Sequence, residues 1–389
     1  MWIEVDYQFP EHLDAAKQAK VLAIGQTAGT WDERFAAQAE ALQQHLGEPG
    51  ELVRNEDGTQ VATVCYPLMN VEGDIASLLT MIFGKYSMAG PAKIVAIRLP
   101  KEYGTKPKFG IKGLRELTGV SGRPFVMAIL KPAFGLKPEQ HAKIVREVAA
   151  AGLDFLKDDE ILVETETSPV QERLAACREA IQAAKSETGR EMLYAVNLTG
   201  RADELQQKAR ELVKLGANAL LFNVLAYGWS VMESLAADPE IDVPIFFHPA
   251  LAGAICAAPD YGFRYSVLLG TLAARSGADA VLYPASYGSL PFEASEEAGI
   301  RTALRKRNVM PVPSAGIHPG VVPQVLADYG TDVVLNAGTG IMDHPLGPGA
   351  GVKSFFEALD RCQAGLPMTV DSVEEGPLKE ALRKWGGSA

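Results

Sequence analysis

From Phe125 onward the chain alternates short β-rich runs with amphipathic helical segments, and this rhythm constrains the fold more than any other feature. The runs are Phe125–Leu130, Asp154–Lys157, Met192–Leu198, Ala219–Leu225, Pro244–His248, Ala278–Tyr283, Met310–Ser314 and Asp332–Asn336. Helix candidates lie between them at Pro138–Ala150, Ser168–Thr188, Ala202–Leu215, Phe263–Ser276, Glu293–Lys306, Val321–Tyr329 and Gly351–Ala364. Eight strand–helix units in about 260 residues is the count and length of a (β/α)8 barrel. The competing arrangement is an open doubly wound sheet. No Gly-rich dinucleotide fingerprint follows the first run, which favours the closed barrel.

The first 120 residues read differently. Trp2–Phe9 alternates, His12–Ala23 is helical in pattern, Gln60–Tyr66 is β-rich, Ile75–Phe83 is helical and Ala92–Arg98 is β-rich. That order fits a β-α-β-β-α-β sandwich. Lys101 to Gly113 is rich in Gly, Lys and Pro and reads as a linker. The expected fold is α/β: an N-terminal α+β ferredoxin-like domain at 1–120, then a (β/α)8 TIM barrel at 121–389 that ends in a helical tail.

Composition narrows the function classes. With 37 Lys and Arg against 48 Asp and Glu, the net charge is −11, a poor match for nucleic acid or an anionic membrane surface. Cys65, Cys177, Cys256 and Cys362 are far apart and form no C-x-x-C, so reduced thiols are expected rather than a zinc ribbon or disulfide framework. Met1 to Asp6 has no basic or apolar leader pattern, and Val243 to Ala258 is interrupted by prolines and a histidine. A cytoplasmic protein with no membrane partner is expected.

In such barrels the active site lies at the C-terminal ends of the strands. Polar residues stand at several of those ends: Lys131 after the first run, Lys157, Asp159 and Glu160 after the second, Asn197 after the third and His248 after the fifth. Ser314 to His318 follows the seventh and Gly338-Thr339-Gly340 the eighth. Lys157 and Asp159 are two apart, so on a strand they point the same way. Two carboxylates suit a hard cation such as Mg²⁺. A free ammonium at Lys157 repels that cation, so either Lys157 forms a salt bridge or its amine has reacted with CO2, and the carbamate is a third ligand. Glycines after the last two strands offer backbone N–H groups to a phosphate.

Gly152-Leu153-Asp154-Phe155-Leu156-Lys157-Asp158-Asp159-Glu160 is similar to the carbamylated-lysine motif of ribulose bisphosphate carboxylase (RuBisCO), G-G-D-F-I-K-N-D-E. Thr27-Ala28-Gly29-Thr30-Trp31 resembles its T-G-T-W loop, and Ile129-Leu130-Lys131-Pro132 its strand 1 lysine motif. Ser314 to His318, and Gly338-Thr339-Gly340 with His344-Pro345, resemble its phosphate loops. The departures point away from a carboxylase. Ser286-Tyr287-Gly288-Ser289-Leu290 has no lysine in the strand 6 loop, Leu282 stands for the strand 6 histidine, and Pro249 for the arginine after the strand 5 histidine. The chain resembles the RuBisCO-like (form IV) branch. Phe83-Gly84-Lys85, Tyr194 to Gly200, Phe247 to Ala250 and Pro313 to Gly320 resemble its methionine-salvage enolases, which act on 2,3-diketo-5-methylthiopentyl 1-phosphate. Pro132 to Leu136 departs from the enolases' K-G-x-x-G-R-D, which leaves the substrate tail open.

The resemblance implies an Mg²⁺-dependent enolase, an isomerase-class enzyme with one Mg²⁺ per subunit held by carbamylated Lys157, Asp159 and Glu160. It implies Lys85 as the base and Lys131, His248, Gly316, Gly338, Thr339, Thr30 and Trp31 as substrate-binding residues, with Lys131 the other candidate for the base. It also implies a homodimer whose active site is shared between subunits. The alternatives are another RuBisCO-like isomerase or transcarboxylase with the same metal site, and a non-catalytic binding barrel.

Overall fold

The structure, a computed structural model, describes residues 1–30 and 32–387. Trp31 lies outside the described residues. The amino-terminal sheet begins with β1 (Trp2–Phe9), β2 (Glu48–Arg54), β3 (Gln60–Pro67) and β4 (Ala92–Arg98), ordered β4-β1-β3-β2 and antiparallel. With the helices Ala15–Gly25 and Ile75–Leu79 this is the expected β-α-β-β-α-β order. In β1 every second side chain, Ile3, Val5, Tyr7 and Phe9, is fully buried. Each such burial is worth about 1.5–3 kcal/mol. Asp14 and Asp74 cap the two helices through the N–H groups of Lys17 and Ser77. The second helix passes into a π-helical turn, Thr80–Gly84, and Lys85 follows it.

The barrel strands are β5 (Phe125–Leu130), β6 (Phe155–Asp158), β7 (Leu193–Asn197), β8 (Ala219–Phe222) and β9 (Ile245–Phe247). Next comes β10 (Tyr261–Phe263), which leaves the barrel and pairs parallel to β4, so the amino-terminal sheet has five strands. The barrel resumes with β11 (Ala280–Pro284), β12 (Met310–Ser314) and β13 (Val334–Ala337). All eight barrel strands run parallel, in the order β12-β11-β9-β8-β7-β6-β5-β13. Across the β12–β13 seam, Asn336 Nδ2 donates to Ser314 Oγ at 2.9 Å.

Alternation decides what fills the barrel. Phe125, Met127, Phe155, Leu193, Phe246 and Met310 point inward, with the Phe125 and Phe155 rings 4.8 Å apart. The side chains between them pack outward against the helices. This same alternation lifts Lys157 to the top of the interior, two residues above Phe155.

Four sequence expectations change. The supposed linker Lys101–Gly113 ends in a helix, Gly110–Thr118, whose Leu114 plugs the barrel floor. Asp279 fixes its start by accepting the N–H groups of Phe109 and Gly110 at 2.6 and 2.9 Å. The run predicted to Leu225 stops at Phe222, because Asn223 opens a helical turn over Val224–Tyr227. The edge strand β2 belongs to the expected order but has no run assigned to it in the sequence; its seven residues are all exposed and carry no apolar alternation. The helix Trp229–Ala237 was not expected. No helix among the described residues is long and apolar enough to cross a membrane.

Candidate active site

The ends of β5, β6 and β9 bring Lys131, Lys157, Asp159, Glu160 and His248 together. Lys131 Nζ donates to Asp159 Oδ2 at 2.7 Å. Lys157 is 1% exposed, and its Nζ donates to the Asp158 carbonyl at 3.0 Å and lies 3.4 Å from Glu160 Oε2. Burial pushes the Lys157 amine below the usual lysine range, against the opposing charges of Glu160 and Asp159. His248 Nε2 stands 3.3 Å from the same Glu160 oxygen. Burial, reinforced by the Lys157 charge, holds this imidazole well below the usual histidine range. His248 is therefore neutral at pH 7. Its Nδ1 accepts the Ala250 N–H at 3.2 Å, which leaves the proton on Nε2, facing Glu160.

A polar frame behind these groups fixes the tip of β6. Asn197 Nδ2 donates to the carbonyls of Glu160 and Leu162 at 2.9 and 3.0 Å. Asn223 Nδ2 reaches the Glu160 carbonyl at 3.3 Å and Asn197 Oδ1 at 3.2 Å. On the outer side of β6, Asp158 is fully buried and accepts from Arg173 Nη2 at 3.2 Å, the Asn197 N–H at 3.0 Å and the Tyr194 hydroxyl. Sequence reasoning missed Asn223 because it was placed inside a strand. It missed Asp158 because that side chain faces away from the barrel interior.

The loops after β11, β12 and β13 pack on one another. Ser289 N–H donates to the Ala315 carbonyl at 2.7 Å, and Ala315 and Gly316 both have positive φ, 65° and 100°. A side chain at Gly316 would bring a Cβ to 2.6 Å from Ser289 N. At Gly338 a Cβ would sit 3.2 Å from Ile129 Cδ1 and 3.7 Å from Lys131 Cε, so the loop after β13 lies over Lys131. Thr339 is exposed at the start of a short helix, Thr339–Met342. Leu282 belongs to the barrel interior, and His318 stacks on Trp385 of the final helix.

Two expected site residues are not joined to this group by any side-chain bond among the described residues. Lys85 and Thr30 are exposed on the amino-terminal domain, and neither side chain bonds to a barrel residue among those described.

The donor set can be tested for a cation. Among the described residues no three His, Cys, Asp or Glu side chains converge as a metal site. Asp159 and Glu160 supply two carboxylates, and the third group aimed between them is the Lys157 amine. Its depressed basicity favours the neutral form that attacks CO2. A carbamate there adds two oxygens and reverses the charge, so these residues fit Mg²⁺ in the carbamylated state.

A parallel eight-stranded barrel with a lysine and two carboxylates at the second strand and glycine loops at the seventh and eighth defines the class. The chain belongs to the ribulose bisphosphate carboxylase large-chain family, whose catalytic domain matches residues 110–295 and 301–385. Its relatives are more particular. It is 62% identical over 386 residues to the 2,3-diketo-5-methylthiopentyl-1-phosphate enolase of Microcystis aeruginosa, which spans 99% of this chain and 100% of that protein. It is 41% identical over 383 residues to the enolase of the same name from Bacillus pumilus, across 95% and 94% of the two chains. A rubisco-like protein from Alicyclobacillus acidocaldarius superimposes with a TM-score of 0.92 at 37% identity, covering 99% of this chain and 100% of its own. The octameric Rubisco of Pyrococcus horikoshii OT3 follows with a TM-score of 0.90 at 27% identity, covering 99% and 95%.

Proposed function

We propose that the chain is an Mg²⁺-dependent enolase that converts 2,3-diketo-5-methylthiopentyl 1-phosphate to 2-hydroxy-3-keto-5-methylthiopentenyl 1-phosphate in methionine salvage, and is not a CO2-fixing carboxylase. The observation that carries this reading is the 62% identity, over 99% of the chain, to a protein named for that reaction. The convergence of Lys131, Lys157, Asp159, Glu160 and His248 at one rim supports it.

Asp159, Glu160 and the Lys157 carbamate would hold Mg²⁺, which when bound polarises the adjacent carbonyls and acidifies the CH2 that bears the phosphate. Backbone N–H groups at Gly316, Gly338 and Thr339 orient the phosphate. Lys131, freed from Asp159, presents its ammonium to the oxygen on which negative charge develops. His248, neutral with the proton on Nε2, donates to a second substrate oxygen. Lys85 takes the proton from the CH2. In this reading Thr30 and Trp31 bind the substrate. Neither the Lys85 nor the Thr30 side chain bonds to a barrel residue among those described, and the reading includes a homodimer in which each amino-terminal domain serves the other barrel.

The test is an assay of the purified protein with the diketo phosphate, Mg²⁺ and bicarbonate, following enol absorbance. Absorbance growth that depends on Mg²⁺ is the expected result. Incorporation of labelled CO2 into phosphoglycerate from ribulose bisphosphate would overturn the reading.

A further inference from the structure

We propose that a groove on the flank of the barrel is a second phosphate-binding site, which takes inorganic phosphate or the phosphate group of a small metabolite. It lies where β4 meets the ends of the helical segments at 266–275 and Ala294–Lys306. Its volume is about 590 Å³, within the range of small-molecule sites. It is lined by Arg98, Arg275, Lys306 and Arg307, with Thr302 and Leu99 on its walls, and no carboxylate of the described residues lines it. In a chain of net charge −11 this concentration of cations runs against the global field.

Their partners show which charges are spare. Arg98 is neutralised by Glu4 and Asp6, each at 2.6 Å. Among the described residues Arg275 has no acidic partner: its Nη1 donates to the Thr271 carbonyl at 3.0 Å, and its Nε is buried without an acceptor. Arg307 donates only to the carbonyls of Lys101 and Tyr103, and exposed Lys306 has no ion pair among the described residues. The acid that feels Arg307, Glu102, is tied to Lys106 at 2.7 Å. Burial and the Arg307 charge lower the Arg275 guanidinium to about 10, so it is still protonated at neutral pH.

The negative end of a helix explains a basic residue in its last turn, but it carries only about half a charge. In the helix Ala294–Lys306 Arg305 turns away to the carbonyls of Tyr329 and Asp332, which leaves Lys306 and Arg307, two full charges, against that half charge. Three cations with no acid among them, one partly buried, suit a dianion that accepts several charge-assisted hydrogen bonds. Thr302 offers a further hydroxyl.

The test is equilibrium dialysis of the intact protein with labelled inorganic phosphate, without Mg²⁺. The parent is expected to bind phosphate at the groove as well as at the barrel mouth. The double variant Arg275→Gln/Arg307→Gln is expected to weaken the groove class about tenfold or more. The charge-preserving Arg275→Lys/Arg307→Lys is expected to retain it, and enolase activity should be unchanged in both. Lys306→Glu, at an exposed position, gives the same reading if the double variant fails to fold. Displacement of the label from the groove by ribose 5-phosphate identifies an esterified ligand, and no displacement identifies the free ion. Parental stoichiometry and affinity in both Arg275→Gln/Arg307→Gln and Lys306→Glu would overturn the proposal.

Discussion

The Lys131 ammonium and the Asp159 carboxylate are joined at 2.7 Å across the tops of β5 and β6, with the carboxylate 5% exposed and the ammonium 44% exposed. Lys157 leans on Glu160 in the same way from beneath. Each carboxylate of the proposed cation site is thus neutralised by a lysine of the chain itself. A divalent cation can enter only if one of these positive charges is removed. Lys157 is the one that chemistry can convert, because its burial disfavours the ammonium form.

Carbamylation of Lys157 is therefore expected to govern metal binding. ¹³C-bicarbonate should give a carbamate NMR signal in the parent that Mg²⁺ sharpens. Lys157→Ala should lack the signal and lose at least the roughly 100-fold that disturbing even an outer partner of a metal site can cost. Full activity after rigorous removal of CO2 would count against the assignment.

The glycine loops should respond unequally to a methyl group. Gly316 has φ of 100° and a Cβ there would meet Ser289 N at 2.6 Å, so Gly316→Ala should lower stability by about 1–3 kcal/mol. Gly338 has a negative φ of −79°, and the nearest atoms its Cβ would meet are side-chain carbons of Ile129 and Lys131. Gly338→Ala should keep the parental Tm and raise KM for the phosphorylated substrate. Thermal denaturation alongside initial rates separates the two, and a Gly338→Ala variant with parental KM would remove this loop from substrate binding.

Much of this was legible in the sequence because alternation and motif spacing are local. Trp2–Phe9, Ala92–Arg98, Phe125–Leu130 and Met310–Ser314 form strands at their expected bounds. Lys157, Asp159 and Glu160 meet Lys131 and His248 because parallel strands put consecutive strand ends on one rim. What was hidden depends on distant partners. β10 is three residues long and exists only because β4 has a free edge. The floor helix Gly110–Thr118 looked like a linker because Gly110 and Gly113 mask the Ile111–Leu114 spacing, and its start is fixed by Asp279, 169 residues further on. Asn223 acts only after the chain turns out of β8 to face Glu160.

A pH dependence of stability should trace to Glu233. This carboxylate, on the helix Trp229–Ala237, accepts the Ile75 N–H at 3.3 Å and so joins the barrel to the helix that leads towards Lys85. Burial raises its pKa to about 7, the Ile75 hydrogen bond opposes the rise, and the Asp74 charge adds to it; Tyr103 is the other titratable group beside it. A carboxyl raised from about 4.5 to about 7 on folding binds more protons in the native state. Its cost is absent below pH 4.5, grows as pH rises through that window and is complete above 7. Glu233→Gln keeps an acceptor for Ile75 and carries no charge. It should raise Tm more at pH 8 than at pH 5, and an equal change at both would exclude Glu233 as the titrating group.

The proposed base is the hardest assignment to see in one chain, since Lys85 follows a π-helical turn on the amino-terminal domain and bonds to nothing around Lys157. If it takes the proton from the substrate CH2, loss of the amine should slow turnover by about 10²–10⁴-fold. Metal binding should survive, because Lys157, Asp159 and Glu160 all lie on the barrel. Exchange of the substrate CH2 protons with D2O, followed by NMR in Lys85→Ala, isolates that step. Exchange that stops while Mg²⁺ and substrate still bind supports the role. Exchange at the parental rate transfers it to Lys131, which already stands at the barrel rim. Subunit mixing then tests the sharing of the site. Lys85→Ala and Lys157→Ala chains are each inactive alone. If one domain serves the other barrel, a mixed dimer pairs an intact Lys85 with an intact Lys157 at one of its two sites and recovers partial activity. A site built within a single chain leaves every mixed dimer inactive.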